Sequence, residues 1–195
     1  VFFALNKSFI SAYEDLHIEY LLSGGYGQAP DIRLHYIYGW HPFVFSPVYL
    51  LYSWMPEMNW YGIFLIAIQF LAHFMLLHQM IARVGFKTAY PVYIVFFFLF
   101  GFPFLQKLEI STTSSLLALA ACSRLLFNYS KQKEQQPRTN RKQEILLILC
   151  LVFASLLRLH TTFLIMALFA LASTVLLQFK GLKAYFISGL ISIVI

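Results

Sequence analysis

The stretch NWYGIFLIAIQFLAHFMLLHQMIA, residues 59–82, decides the fold class of this chain, because it contains no Asp, Glu, Lys or Arg. A helix of this length covers the ~30 Å hydrocarbon core of a bilayer. The whole chain is 60% apolar and 11% charged, whereas a soluble domain carries roughly 25% charged residues. A soluble protein of this composition would expose large apolar patches and aggregate. The composition therefore predicts an integral membrane protein.

Further apolar segments follow residue 82 and extend the same pattern. They cover about Thr88 to Leu105, Ile110 to Phe127, Ile145 to Leu157 and Thr161 to Phe179. Together with the first segment they predict an all-α, polytopic transmembrane bundle over residues 59–195. Since the chain begins at Val1 within an apolar run and stops within another at Ile195, we expect a fragment cut inside a first and a last span.

The basic residues cluster in the short connections between the apolar segments. Loop 128–144 is the most basic stretch, with Lys131, Lys133, Arg138, Arg141 and Lys142. By the positive-inside rule this loop is expected to be cytoplasmic. The net charge of +6 is thus explained by topology, and no nucleic-acid partner is expected.

Residues 1–58 then form the end of a first span and a long outer loop. Within Ser11–Leu22, Leu16 and Tyr20 share one helical face while Glu14, Asp15 and Glu19 carry charge, a pattern typical of an interfacial helix. The apolar stretch Tyr36–Trp54 is interrupted by glycine and prolines, which favours a re-entrant or surface-lying helix pair. Histidines and carboxylates in this loop are potential metal ligands, but no pair has a recognised ligand spacing.

The same outer segment carries an ordered set of motifs: Glu14-Asp15, then LLSGGYG at 21–27, Pro30-Asp31, Leu34, and Pro56 followed by Asn59-Trp60-Tyr61. This arrangement resembles that of uncharacterised bacterial multi-spanning proteins similar to the GT-C glycosyltransferases. In that superfamily an acidic residue or pair lies in the first outer loop, beside surface helices. The resemblance covers residues 2–61 by motif and the remainder only by the pattern of spans.

The resemblance implies a glycosyltransferase of the bacterial inner membrane that uses a polyprenyl-phosphate-linked sugar donor at the non-cytoplasmic face. Asp15, with Glu14, would match the acidic motif and act as general base or as a ligand of a divalent metal. A base must take the acceptor hydroxyl proton, and a carboxylate near a low-dielectric boundary has the raised proton affinity this requires. Arg158, with His160 and His35, would hold the donor phosphate, because a guanidinium fork matches phosphate oxygens.

The candidate site residues also have plainer interpretations. Glu14 and Asp15 suit the solvated face of an interfacial helix, with no catalytic role. Arg158 is flanked by leucines, and an ionisable residue in a membrane segment indicates function by default. Its guanidinium could instead reach the outer interface by snorkelling, and His160 fits an ordinary interface residue.

Polar residues inside the predicted spans favour helix packing. We expect His73 to be a neutral histidine that hydrogen-bonds between helices, with Gln69 as its neighbour one turn away. The small hydroxyl residues of Thr112–Ser115 would let helices approach closely. Cys122 and Cys150 lie in apolar runs and are expected to be small buried residues.

Two other functions fit the sequence. A non-catalytic subunit of a larger membrane complex would explain the 18% aromatic content and the scarcity of charge within the spans. Its partners would be membrane lipids and other membrane subunits. A transporter would place His73 and Arg158 along a pathway, but transport predicts paired broken helices, and Tyr36–Trp54 has no counterpart in the sequence.

Overall fold

The computed structural model describes residues 18–20, 22–23, 42–106, 108–133, 141–177, 187 and 191. Regular structure within them is entirely helical, which confirms the predicted all-α class for this part of the chain. The helices are α1 (Pro42–Trp54), α2 (Trp60–Val84), α3 (Phe86–Phe96), a π-helical turn (Phe97–Gly101), α4 (Phe102–Gln106), α5 (Ile110–Lys133), α6 (Arg141–Leu157) and α7 (Leu159–Leu177).

Three helical stretches among the described residues are long and apolar enough to cross a membrane. They are Trp60–Val84, Phe86–Gln106 and Ile110–Asn128, and they coincide with the first three predicted spans. The helix α6 does not reach this criterion, and α7 contributes only a shorter apolar stretch, Leu159–Thr174. The predicted fourth and fifth crossings therefore stay predictions.

The limits of α2 follow from its two end residues. Asn59 caps the N-terminus, since its Oδ1 accepts a hydrogen bond from the Gly62 backbone N–H at 2.7 Å. The C-terminus stops at Gly85, whose φ of 79° is a backbone conformation that suits glycine. Because α3 begins at the next residue, α2 and α3 are joined by this single glycine.

Two glutamines of α2 fix its direction relative to α5. Gln69 Nε2 donates to Thr113 Oγ1 at 2.9 Å. Ten residues further along both helices, Gln79 Nε2 donates to the Ser123 carbonyl at 2.9 Å, and Ser123 Oγ donates back to Gln79 Oε1 at 3.0 Å. The equal offset shows that α2 and α5 run parallel, as the predicted threading requires if residues 86–106 cross back between them.

The helix α5 is the centre of the bundle and packs extensively against α2, α6 and α7. Its inward faces carry small residues that are fully buried, namely Ala118, Ala120, Ala121 and Cys122. Small side chains let neighbouring helix backbones approach closely, which is how helices associate when lipid removes the hydrophobic drive between them.

The basic loop is shorter than the sequence predicted. The helix α5 continues to Lys133 and α6 already begins at Arg141, so only residues 134–140 of the predicted loop 128–144 lie outside the described residues. Lysine and glutamine are good helix formers, and they extend α5 beyond the apolar stretch. The predicted helix pair at Tyr36–Trp54 is represented by α1, while residues 36–41 lie outside the described part.

Candidate functional site

The histidine expected within a span, His73, is buried and bonded to the next helix. Its Nδ1 lies 2.8 Å from the Tyr93 hydroxyl oxygen, and the same hydroxyl oxygen lies 3.0 Å from the His73 carbonyl oxygen. The tautomer of His73 decides whether Nδ1 donates to the hydroxyl or accepts its hydrogen. The structure thus shows the predicted histidine bonded between helices, with Tyr93 as partner, while Gln69 bonds to α5.

The π-helical turn at Phe97–Gly101 contacts the His73 ring through two of its residues. The ring centroids of His73 and Phe97 lie 5.3 Å apart in an edge-on arrangement. The backbone of Gly101 approaches the imidazole so closely that a Cβ there would lie 2.6 Å from His73 Cε1. Such turns are frequent at functional sites, but here the observed role is to let α2 pack against the span Phe86–Gln106.

A second polar group lies where α1 meets the start of α2, at what we call the Asn59 end of the bundle. The Tyr52 hydroxyl accepts the Tyr61 backbone N–H at 3.1 Å and donates to Asn59 Oδ1 at 3.4 Å. Burial, together with the nearby Glu19 carboxylate, raises the pKa of the Tyr52 phenol. The phenol therefore stays protonated at physiological pH and keeps donating to the helix cap.

Glu19 is a buried carboxylate, which the sequence analysis did not foresee. The charge pattern grouped it with Glu14 and Asp15 as a charged residue of an interfacial helix, but its side chain is only 6% exposed. The buried face of this segment is centred on Ile18 and Leu22, both fully buried, and Glu19 lies next to them on the helix. The spacing of Ile18 and Leu22 was the available signal, since residues four apart share a face.

Arg158 occupies the point where the chain turns from α6 into α7. Its backbone N–H completes the last turn of α6 and its carbonyl accepts the first bond of α7 from the Thr162 N–H. Both helices pack along α5, so the direction changes at this one residue. Ser114 of α5 secures the turn, because its hydroxyl donates to the Ala154 carbonyl at 2.9 Å and lies 2.8 Å from Thr162 Oγ1.

Arg158 and the group around Tyr52 lie at the same end of the bundle. Ser114, which contacts the Arg158 turn, is near the start of α5, and α5 runs parallel to α2, whose start carries Asn59. A row of aromatic rings also links α1 to α6: Phe45 to Phe64 at 6.3 Å and Phe64 to Phe153 at 6.4 Å between centroids. The Asn59 end therefore combines a buried carboxylate, a phenol and a half-buried guanidinium.

The predicted site residues divide into two sets. Arg158 is half-buried at the α6–α7 turn and His160, two residues on, is exposed. Glu14, Asp15 and His35 lie outside the described residues, so the expected proximity of Asp15 to Arg158 stays a prediction. In the part of the chain that the structure describes, no three His, Cys, Asp or Glu side chains are grouped to hold a metal ion.

Comparison of the chain with protein-family models, curated proteins and solved structures gave no match. The resemblance to GT-C glycosyltransferases thus rests on the motifs of the outer segment.

Proposed function

We propose that this chain is a multi-spanning membrane protein whose Asn59 end faces the non-cytoplasmic side and works as a GT-C-like glycosyltransferase on a polyprenyl-phosphate-linked sugar. The observation that carries the proposal is the burial of Glu19 against the Tyr52 region at the end where Arg158 turns α6 into α7. This supports the proposal because Glu19, a described carboxylate of the outer segment, lies near Tyr52 at the same end of the bundle as Arg158.

The proposed roles follow from charge and position. Arg158 would bind the donor phosphate, since a guanidinium stays charged and offers paired donors to phosphate oxygens. Its partial burial lowers the local dielectric and strengthens that attraction. Asp15, with Glu14, would accept the proton of the attacking hydroxyl as the glycosidic bond forms. The exposed His160 would also contact the donor phosphate, and so would His35, which lies outside the described residues.

The test separates donor binding from turnover. The wild-type protein, R158Q, D15N and the control R141Q are reconstituted in liposomes with a radiolabelled polyprenyl-phosphate sugar and a membrane extract that supplies hydroxyl acceptors, and both retained donor and released polyprenyl phosphate are measured. R158Q should lose donor binding, by roughly 10-fold or more for a charged hydrogen bond of about 1.5–3 kcal/mol. D15N should bind the donor normally and lose turnover.

R141Q removes a basic charge at the opposite end of the bundle, on the exposed first turn of α6, and should behave as wild type. Equal donor retention by wild type, R158Q and a liposome without protein would contradict the proposal.

A second candidate function is a structural subunit of a membrane complex, and the span Phe86–Gln106 favours it. This span is the least buried of the three and presents large exposed side chains, among them Val95, Phe98, Leu99 and Phe100. Lipid or another subunit would cover such a face equally well. Normal binding and turnover in R158Q and D15N would leave this function as the better account.

A further inference from the structure

The opposite end of the bundle holds two arginines against one aromatic ring. We call it the basic end: α2 and α5 finish there and α6 begins there, with Arg141 in its first turn. Arg83 Cζ, near the end of α2, lies 5.8 Å from the Phe127 ring centroid, and Arg124 Cζ lies 5.9 Å from the same centroid. Both distances are within the range of a cation–π contact. Two guanidinium charges are thus gathered around Phe127 at the ends of two candidate spans.

Two hydrogen-bond donors at this place have no acceptor among the described residues. Arg124 Nη1 and Asn128 Nδ2 are both buried atoms without a hydrogen-bond partner in that part of the chain. They are four residues apart on α5 and therefore lie on one face of the helix. Within the described part of the chain neither Arg83 nor Arg124 forms an ion pair. Leaving buried donors unsatisfied is costly, more so for charged groups, and bringing two like charges together adds repulsion.

The chemistry of Arg83, Arg124 and Asn128 determines which kind of ligand would satisfy them. Arginine and an amide nitrogen can only donate, so the partner must supply acceptor oxygens, and the two positive charges require that it be anionic. The guanidinium fork matches the geometry of phosphate oxygens. Since the site lies at the end of the spans Trp60–Val84 and Ile110–Asn128, it stands at the level where lipid headgroups would surround the protein.

We propose that Arg83, Arg124 and Asn128 form a binding site for a phosphate group, supplied by an anionic phospholipid of the adjoining leaflet. The Arg83 side chain is exposed and Arg124 is half-buried, so a headgroup reaches the guanidinium groups from the membrane edge. Basic pockets between membrane helices are known to hold anionic headgroups in this way. The site is at the opposite end from Arg158 and does not depend on the proposed transferase activity.

The experiment distinguishes a general effect of positive charge on lipid binding from specific contacts made by the Arg83 and Arg124 guanidinium groups. Detergent-purified protein is titrated with short-chain phosphatidylglycerol, short-chain phosphatidylcholine or inorganic phosphate, and the apparent affinity is taken from the rise in the thermal unfolding midpoint. The variants are R83Q, R124K and, as matched control, the double variant K87Q/R141Q, which removes two exposed basic charges at the same end.

Wild type should be stabilised by phosphatidylglycerol and not by phosphatidylcholine. R83Q should weaken this binding about fivefold, the equivalent of about 1 kcal/mol, because a direct hydrogen bond to the phosphate is lost. R124K keeps the charge but loses the fork, and should weaken binding by a similar factor. The control should stay within about twofold of wild type, since surface charges act weakly. Stabilisation by inorganic phosphate alone would support the same site with a soluble phosphate as its ligand.

The proposal is overturned if phosphatidylglycerol and phosphatidylcholine stabilise wild type equally and phosphate does nothing. It is also overturned if R124K binds phosphatidylglycerol as wild type does while the control loses as much affinity as R83Q. That result would show that the affinity for phosphatidylglycerol depends only on the number of basic charges at this end of the protein. R83Q decides the question if R124K does not fold, because the Arg83 side chain is exposed and its replacement leaves the core intact.

Discussion

Gly101 is the residue whose replacement should reveal the packing of α2 against the π-helical turn. A Cβ at this position would lie 2.6 Å from His73 Cε1 and 2.7 Å from Phe97 Cδ2, and His73 is held in place by Tyr93. We therefore expect G101A to lower the free energy of unfolding by about 1–3 kcal/mol, the usual cost of overpacking. The difference in the free energy of unfolding between G101A and wild type is measured by thermal or denaturant unfolding, with both proteins in the same detergent.

The matched control for G101A is a double-mutant cycle with H73A. Removing the imidazole relieves the contact with His73 and leaves only the contact with Phe97, so G101A should cost less in the H73A background. If G101A costs the same with and without the imidazole, the close approach of Gly101 to His73 is not what makes glycine necessary.

The docking of α1 on α2 should depend on pH through Tyr52. Burial raises the pKa of this phenol in the folded protein, so the folded state holds the proton more tightly than the unfolded state. By linkage, this contribution to stability is fully present below the unfolded pKa of about 10 and is lost as pH rises towards the folded pKa. We expect the unfolding midpoint to fall more steeply with pH above about 10 in wild type than in Y52F.

The comparison between wild type and Y52F cancels the titration of the other tyrosines and of the lysines. Identical slopes for the two proteins above that pH would contradict the proposed role of Tyr52 at the α1–α2 junction.

The helices differ in how far the sequence could predict them. The limits of α2 were foreseeable, since an uncharged run follows a capping Asn59 and precedes Gly85. The π-helical turn was not, because it depends on the contact of Gly101 with His73, distant in sequence. The burial of Glu19 was not foreseeable either, because it depends on packing near Tyr52 of α1, which is also distant in sequence. The sequence analysis did not single out Arg124, because its position with Arg83 around Phe127 depends on the parallel packing of α2 and α5.

At the scale of the whole molecule, the two ends of the bundle have different chemistry. The basic end gathers Arg83 and Arg124 with the start of α6, and the Asn59 end gathers Glu19, Tyr52 and Arg158. This separation agrees with the positive-inside rule for a membrane protein whose basic end is cytoplasmic. The proposed phosphate site and the proposed transferase site therefore lie at opposite ends and can be disrupted independently.

The central claim is that the acidic motif of the outer segment meets Arg158 at the Asn59 end. The most direct test is the distance between spin labels on D15C and R158C, measured in a background in which the native cysteines Cys122 and Cys150 are replaced. Our account predicts a separation within about 15 Å, half the thickness of the hydrocarbon core. A separation of about 30 Å or more would place the two groups on different surfaces and contradict the proposed site.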